Sequence, residues 1–67
     1  MLGRVKFYSP GKQYGFIWTE AGDFFFRAGD VIGHEPRSGD TVEFWLTDDP
    51  RRQDNLLATE VRIRKRS

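Results

Sequence analysis

Two short aromatic runs, Tyr14-Gly15-Phe16-Ile17 and Phe24-Phe25-Phe26-Arg27, lie on either side of a turn-forming stretch, Glu20-Ala21-Gly22-Asp23. Their closeness constrains the fold more than any other feature, because two extended runs so joined have little choice but to form a hairpin. Along a strand, side chains alternate faces, so Tyr14 and Phe16 point one way and Gly15 and Ile17 the other. A two-residue Ala21-Gly22 loop pairs Glu20 with Asp23, Trp18 with Phe25 and Phe16 with Arg27 on one face. The same loop sets Ile17 opposite Phe26 and Thr19 opposite Phe24 on the buried side. Tyr14, Phe16, Phe25 and Arg27 then share an outward face.

The rest of the chain has the same punctuation. Arg4 to Tyr8 forms a first strand, ended by Ser9-Pro10-Gly11, where Pro followed by Gly suits a tight turn. Tyr14 to Thr19 and Phe24 to Arg27 follow. Residues 28 to 39 contain Gly29, Gly33, Pro36 and Gly39 and are expected to be a loop with one helical turn near Asp30-Val31-Ile32. A fourth strand, Thr41 to Thr47, alternates Val42, Phe44 and Leu46 inward with Glu43 and Trp45 outward. After a polar loop, Asp48 to Asp54, the last strand runs from about Leu56 to Ile63, with Val61 and Ile63 inward. Five short strands with Gly and Pro turns, no repeat, no heptad and no useful helix predict one all-β domain spanning 1–67, a small closed or partly closed barrel.

Composition narrows the function. With no cysteine there are no disulfide staples and no thiolate metal sites. No apolar run approaches the roughly 20 residues of a membrane span, and no signal-peptide pattern opens the chain, so a soluble cytoplasmic protein is expected. Net charge is only +1, yet Arg4, Lys6 and Lys12 precede Glu20 with no acid among them. A local basic patch attracts phosphate even on a balanced surface. Aromatics gathered on one outward face and mixed with Lys and Arg fit the stacking of unpaired bases.

The order and spacing of these runs resemble the cold-shock domain family. Gly3-Arg4-Val5-Lys6-Phe7-Tyr8 is similar to the family's opening run, Lys12 to Ile17 to its first ribonucleoprotein-type motif, and Phe24 to Arg27 to its second. Gly39-Asp40-Thr41-Val42-Glu43-Phe44 and Ala58-Thr59-Glu60-Val61 resemble its fourth and final strands. The resemblance implies a five-stranded antiparallel Greek-key barrel of the oligonucleotide-binding type. It also implies binding of single-stranded RNA or DNA, with a role as a nucleic-acid chaperone or a regulator of transcription or translation. The chain departs from the family where Phe7 replaces Trp, Gln13 replaces Gly, Arg27 replaces His and Ala28 replaces an aromatic. An Arg at 27 still stacks and donates hydrogen bonds, but without the pH response of an imidazole.

The candidate nucleic-acid-binding residues are Lys6, Phe7, Tyr8, Lys12, Tyr14, Phe16, Trp18, Phe25 and Arg27. Lys6 and Lys12 are expected to meet phosphates or base edges. Pairing Lys6 with Phe16 and Tyr8 with Tyr14 turns Phe7 inward and Tyr8 outward, whereas the resemblance implies the reverse. A bulge or the sheet edge reconciles the two. Trp18 either extends the stacking face or caps the barrel edge. Trp45 is expected to pack under the Asp48–Asp54 loop or to make a weak dimer contact. Arg51, Arg52 and the Arg62–Arg66 cluster either touch a long strand's backbone or are solvated.

Phe24 and Phe26 are assigned to the core. His34 has no Cys or second His to join it in a metal site. With no catalytic triad, carboxylate pair or phosphate-cradling loop, the expectations are no enzyme activity, no cofactor and no small-molecule substrate. The protein is expected to be a monomer or weak dimer. The competing reading is a small barrel that docks onto protein through the aromatic patch, against which the interleaved Lys6, Lys12 and Arg27 argue.

Overall fold

A computed structural model describes residues 1–51 and 55–64. The chain forms β1 (Leu2–Ser9), β2 (Tyr14–Thr19), β3 (Gly22–Arg27), a 3-10 turn (Ala28–Asp30), β4 (Val31–Ile32), β5 (Thr41–Asp48) and β6 (Leu56–Ile63). Among the described residues no helix is long and apolar enough to cross a membrane.

The strand order is β3-β2-β1-β5-β6-β4, and a further pairing of β3 with β6 closes the five long strands into a barrel. The all-β barrel expected from the strand pattern is therefore present, but its strands are not all antiparallel. β1–β2, β2–β3, β1–β5 and β5–β6 pair antiparallel. Closure runs parallel, through Phe25 opposite Leu57, and the two-residue β4 adds to β6, also in parallel. β4 falls where a helical turn was expected; the turn itself comes earlier, at Ala28–Asp30.

Alternation builds the core as the sequence predicts. Ile17 from β2, Phe26 from β3, Val42 and Phe44 from β5, and Val61 from β6 are fully buried, joined by Val5 and Ala58. Phe24, Leu46 and Ile63 pack against them half-buried. Each of the fully buried Val, Ile and Phe side chains contributes about 1.5–3 kcal/mol before chain entropy opposes it.

The β2–β3 hairpin differs from the expected register by two residues. Thr19 pairs with Gly22, Ile17 with Phe24 and Phe16 with Phe25, so the loop residues are Glu20 and Ala21. Thr19 sets this turn, its hydroxyl accepting from the Ala21 amide at 3.1 Å and donating to the Gly22 carbonyl at 2.8 Å. Gly22, at φ +128°, takes a backbone conformation that side-chain-bearing residues avoid. Because the slip is two residues and not one, every side chain keeps its predicted face.

Candidate nucleic-acid interface

The outer face of β1–β3 carries four rings in mutual contact. Tyr14 and Phe16 come from β2, Phe25 from β3 and Phe7 from β1. The Phe16 and Phe25 centroids lie 5.6 Å apart and edge-on, while Tyr14 and Phe25 stack at 5.7 Å. Phe7 sits 5.6 Å from both Tyr14 and Phe16. Such pairs stabilise one another by about 0.5–1.5 kcal/mol beyond their burial, so the rings are held in place before any ligand arrives.

Phe7 reaches this face through a bulge. Val5 pairs with Ile17, but the next pairs are Phe7 with Phe16 and Tyr8 with Gly15, leaving Lys6 as the extra residue. Lys6 and Phe7 both turn outward, and Phe7 is 37% exposed. The simple-alternation pairing of Lys6 with Phe16 and Tyr8 with Tyr14 is thus corrected by one residue. Tyr8 consequently leaves the ring face. It is half-buried and stacks on Phe26 at 5.7 Å and 13°. Burial, and secondarily the Glu35 carboxylate, push the Tyr8 phenol's pKa above its ordinary value.

Gly15 makes the bulge possible. A methyl group there would stand 2.4 Å from the Phe7 carbonyl oxygen and 2.8 Å from Cζ of Phe26. Only a residue without Cβ lets β1 and β2 approach this closely. The Lys6 carbonyl, at the bulge, accepts a hydrogen bond from the Ser38 hydroxyl at 3.3 Å.

Cations surround the rings, and carboxylates hold two of them. Lys6 Nζ meets Asp23 Oδ2 at 2.8 Å. These residues lie on the strands flanking β2, with Asp23 opposite Trp18 and Lys6 beside Phe16's partner, so the bridge crosses β2 between Trp18 and Phe16. Arg27 Nε lies 3.5 Å from Asp30 Oδ2, and the Thr59 hydroxyl donates to Asp30 Oδ1 at 3.4 Å. The Lys6–Asp23 pair is exposed and contributes little to stability, whereas the Asp30 carboxylate beside Arg27 is largely buried. Lys12 is exposed in the turn before β2, two residues ahead of Tyr14.

Asp23 was legible as a member of this face, since it shares the alternation of Phe25 and Arg27. Asp30 had no such signal. Gln13 also explains itself: at φ +61° it occupies the left-handed region, where the similar family has Gly. Its amide donates to the Ser9 carbonyl and its own carbonyl accepts from Ala28, tying the β1–β2 turn to the end of β3.

The remaining candidates lie apart from the rings. Trp18 is outward and 51% exposed, but among the described residues it makes no ring contact. Trp45, 67% exposed on β5, is not packed beneath the described part of the following loop. Arg62 lies near the end of β6 and Arg64 just after it, where Arg64 pairs with Glu43 at 3.5 Å. Arg51 is exposed. Arg52, Lys65 and Arg66 lie outside the described residues.

A clustered, half-exposed ring surface with cations at its margin can take flat unsaturated groups on its face and anions at its edge. Comparison of the chain with the known protein families finds no match, and comparison with curated proteins finds none either. The barrel and its surface aromatic cluster are consistent with an oligonucleotide-binding, cold-shock-like domain.

Proposed function

We propose that this protein binds single-stranded RNA or DNA and acts as a nucleic-acid chaperone or a regulator of transcription or translation. The observation that carries the reading is the four-ring cluster of Phe7, Tyr14, Phe16 and Phe25 on one outward sheet face, edged by Lys6, Lys12 and Arg27. Unpaired bases stack on the rings, phosphates meet the cations at their margin, and strands that would otherwise pair are held open. The action is passive and needs no ATP, metal or bond cleavage.

The test is a titration of a labelled single strand followed by fluorescence anisotropy. Phe16→Ala and Phe25→Ala each weaken binding by about 1–3 kcal/mol while the fold is retained. Log affinity falls with log salt at a slope of roughly −0.7 per phosphate contact, or about −2 to −4 for three to five contacts. Tighter binding to duplex, or affinity indifferent to salt, contradicts the reading and favours a protein-docking face.

A further inference from the structure

Beyond the four rings, the same face opens into a groove of ≈ 640 Å³ lined by Leu2, Arg4, Trp18, Glu20 and Thr41, among others. Arg4 pairs with Trp18 across β1 and β2, and with Thr41 across β1 and β5, so the groove sits over three adjacent strands. We infer that this groove is a separate base-binding position, in which Trp18 stacks one base and Arg4 holds its phosphate, extending the bound strand past the ring cluster. The inference rests on the single-strand reading above.

Three observations lead there. Trp18 continues the β2 alternation of Tyr14 and Phe16, one strand repeat of roughly 7 Å beyond Phe16, so the groove is continuous with the ring face. Its indole is half exposed and has no ring partner among the described residues, leaving a π-face for a flat ligand. Arg4 is exposed and makes no ion pair among the described residues, and a guanidinium, which only donates, suits phosphate oxygens. Of the carboxylates on this face around Arg4, Asp23 is paired with Lys6 at 2.8 Å and Glu43 with Arg64 at 3.5 Å, which leaves Glu20 at the rim as the opposing charge.

The Lys6–Asp23 bridge also makes this position separate. It lies across β2 between Phe16 and Trp18, so a base on Trp18 does not share the four-ring stack. A strand filling both must pass over the bridge, and short strands are therefore satisfied by the rings alone.

The experiment compares oligo(dT) of about four and about eight nucleotides, within the usual site sizes of such barrels. The native protein gains affinity on lengthening, about five- to 150-fold for one added stacked base. Trp18→Ala, confirmed folded by circular dichroism, removes that gain, and Arg4→Ala makes the long strand's salt slope shallower by about 0.7. Trp45→Ala keeps the gain. In a Trp45→Phe background the indole of Trp18 is quenched by the long strand and not by the short one, a readout independent of whether Trp18→Ala folds.

The inference is overturned if Trp18→Ala keeps the gain, if it weakens both lengths by one factor, or if Trp18 fluorescence ignores the long strand. Failure of the underlying reading looks different. There, neither length binds, or Phe16→Ala and Phe25→Ala bind as the native protein does, and the groove proposal falls with it.

Discussion

Among the described residues the barrel contains two bulges, and they do different work. In β1, Lys6 is the extra residue between Val5 and Phe7. In β6, Glu60 and Val61 together face Phe44, between the pairs Trp45–Thr59 and Glu43–Arg62. Each resets the alternation so that inward residues stand three apart, Val5 and Tyr8 in one strand, Ala58 and Val61 in the other. The β1 bulge adds something the β6 bulge does not, a ring delivered to the outer face. The backbone differs too. Glu60 sits at φ +50°, while neither Lys6 nor Phe7 has a positive φ. One distortion is built into the candidate interface by close approach at Gly15; the other bends a strand so that the core can close, at a local conformational cost.

The largest expected effect tests what sets the β1 bulge. Gly15→Ala puts a methyl group against backbone as well as the Phe26 ring, and should lower stability by about 3 kcal/mol, measured by urea unfolding. A loss under about 1 kcal/mol would mean that the bulge does not depend on this close approach.

Next comes the functional half of the comparison. Phe7→Ala should weaken single-strand affinity by about 2 kcal/mol, within the range for a base–aromatic contact, with a smaller loss of stability. If binding is untouched, the ring delivered by the bulge is not part of the interface.

For β6 the expectation is the converse. Glu60→Gly relieves roughly 1–2 kcal/mol of left-handed strain, partly offset by the extra freedom glycine has when unfolded. A net gain of up to about 1 kcal/mol should appear in the urea midpoint, with oligonucleotide affinity unchanged. A binding change as large as that of Phe7→Ala would erase the distinction between the bulges.

The smallest effect concerns Tyr8, which the β1 bulge turns inward. Its phenol's pKa is raised, chiefly by burial and then by Glu35. A raised folded-state value means that the associated stability is present below the ordinary value of about 10 and is lost as pH rises through the folded one. Unfolding curves collected from about pH 9 upward should fall less steeply for Tyr8→Phe than for the native chain.

The sequence made the faces legible but not the spacing. Period-two alternation in Tyr14–Ile17, Phe24–Arg27 and Val42–Leu46 placed rings and core correctly, because burying one side of a sheet leaves no freedom over which residues go in. Composition points to Gly22 as a loop residue, but the Thr19 hydroxyl draws the turn one residue earlier and puts Gly22 in the strand. No composition cue marks Lys6 as an extra residue; the bulge follows from contact between Gly15 and a carbonyl of another strand. The resemblance to a known family anticipated Phe7 outward and Tyr8 inward where simple alternation did not. Asp30's hold on Arg27 depends on the Ala28–Asp30 turn, which the chain's Gly-rich loop did not reveal.

The parallel pairing that closes the barrel is made at Phe25, opposite Leu57. Phe25 is also one of the four rings, so the seam of the cylinder and the stacking surface share a residue. Opening of the seam would pull that ring out of line, and a base resting on it would resist the opening. Occupancy at the surface would therefore be felt as slower amide hydrogen exchange along β3 and β6, on the strands that must part for the cylinder to breathe.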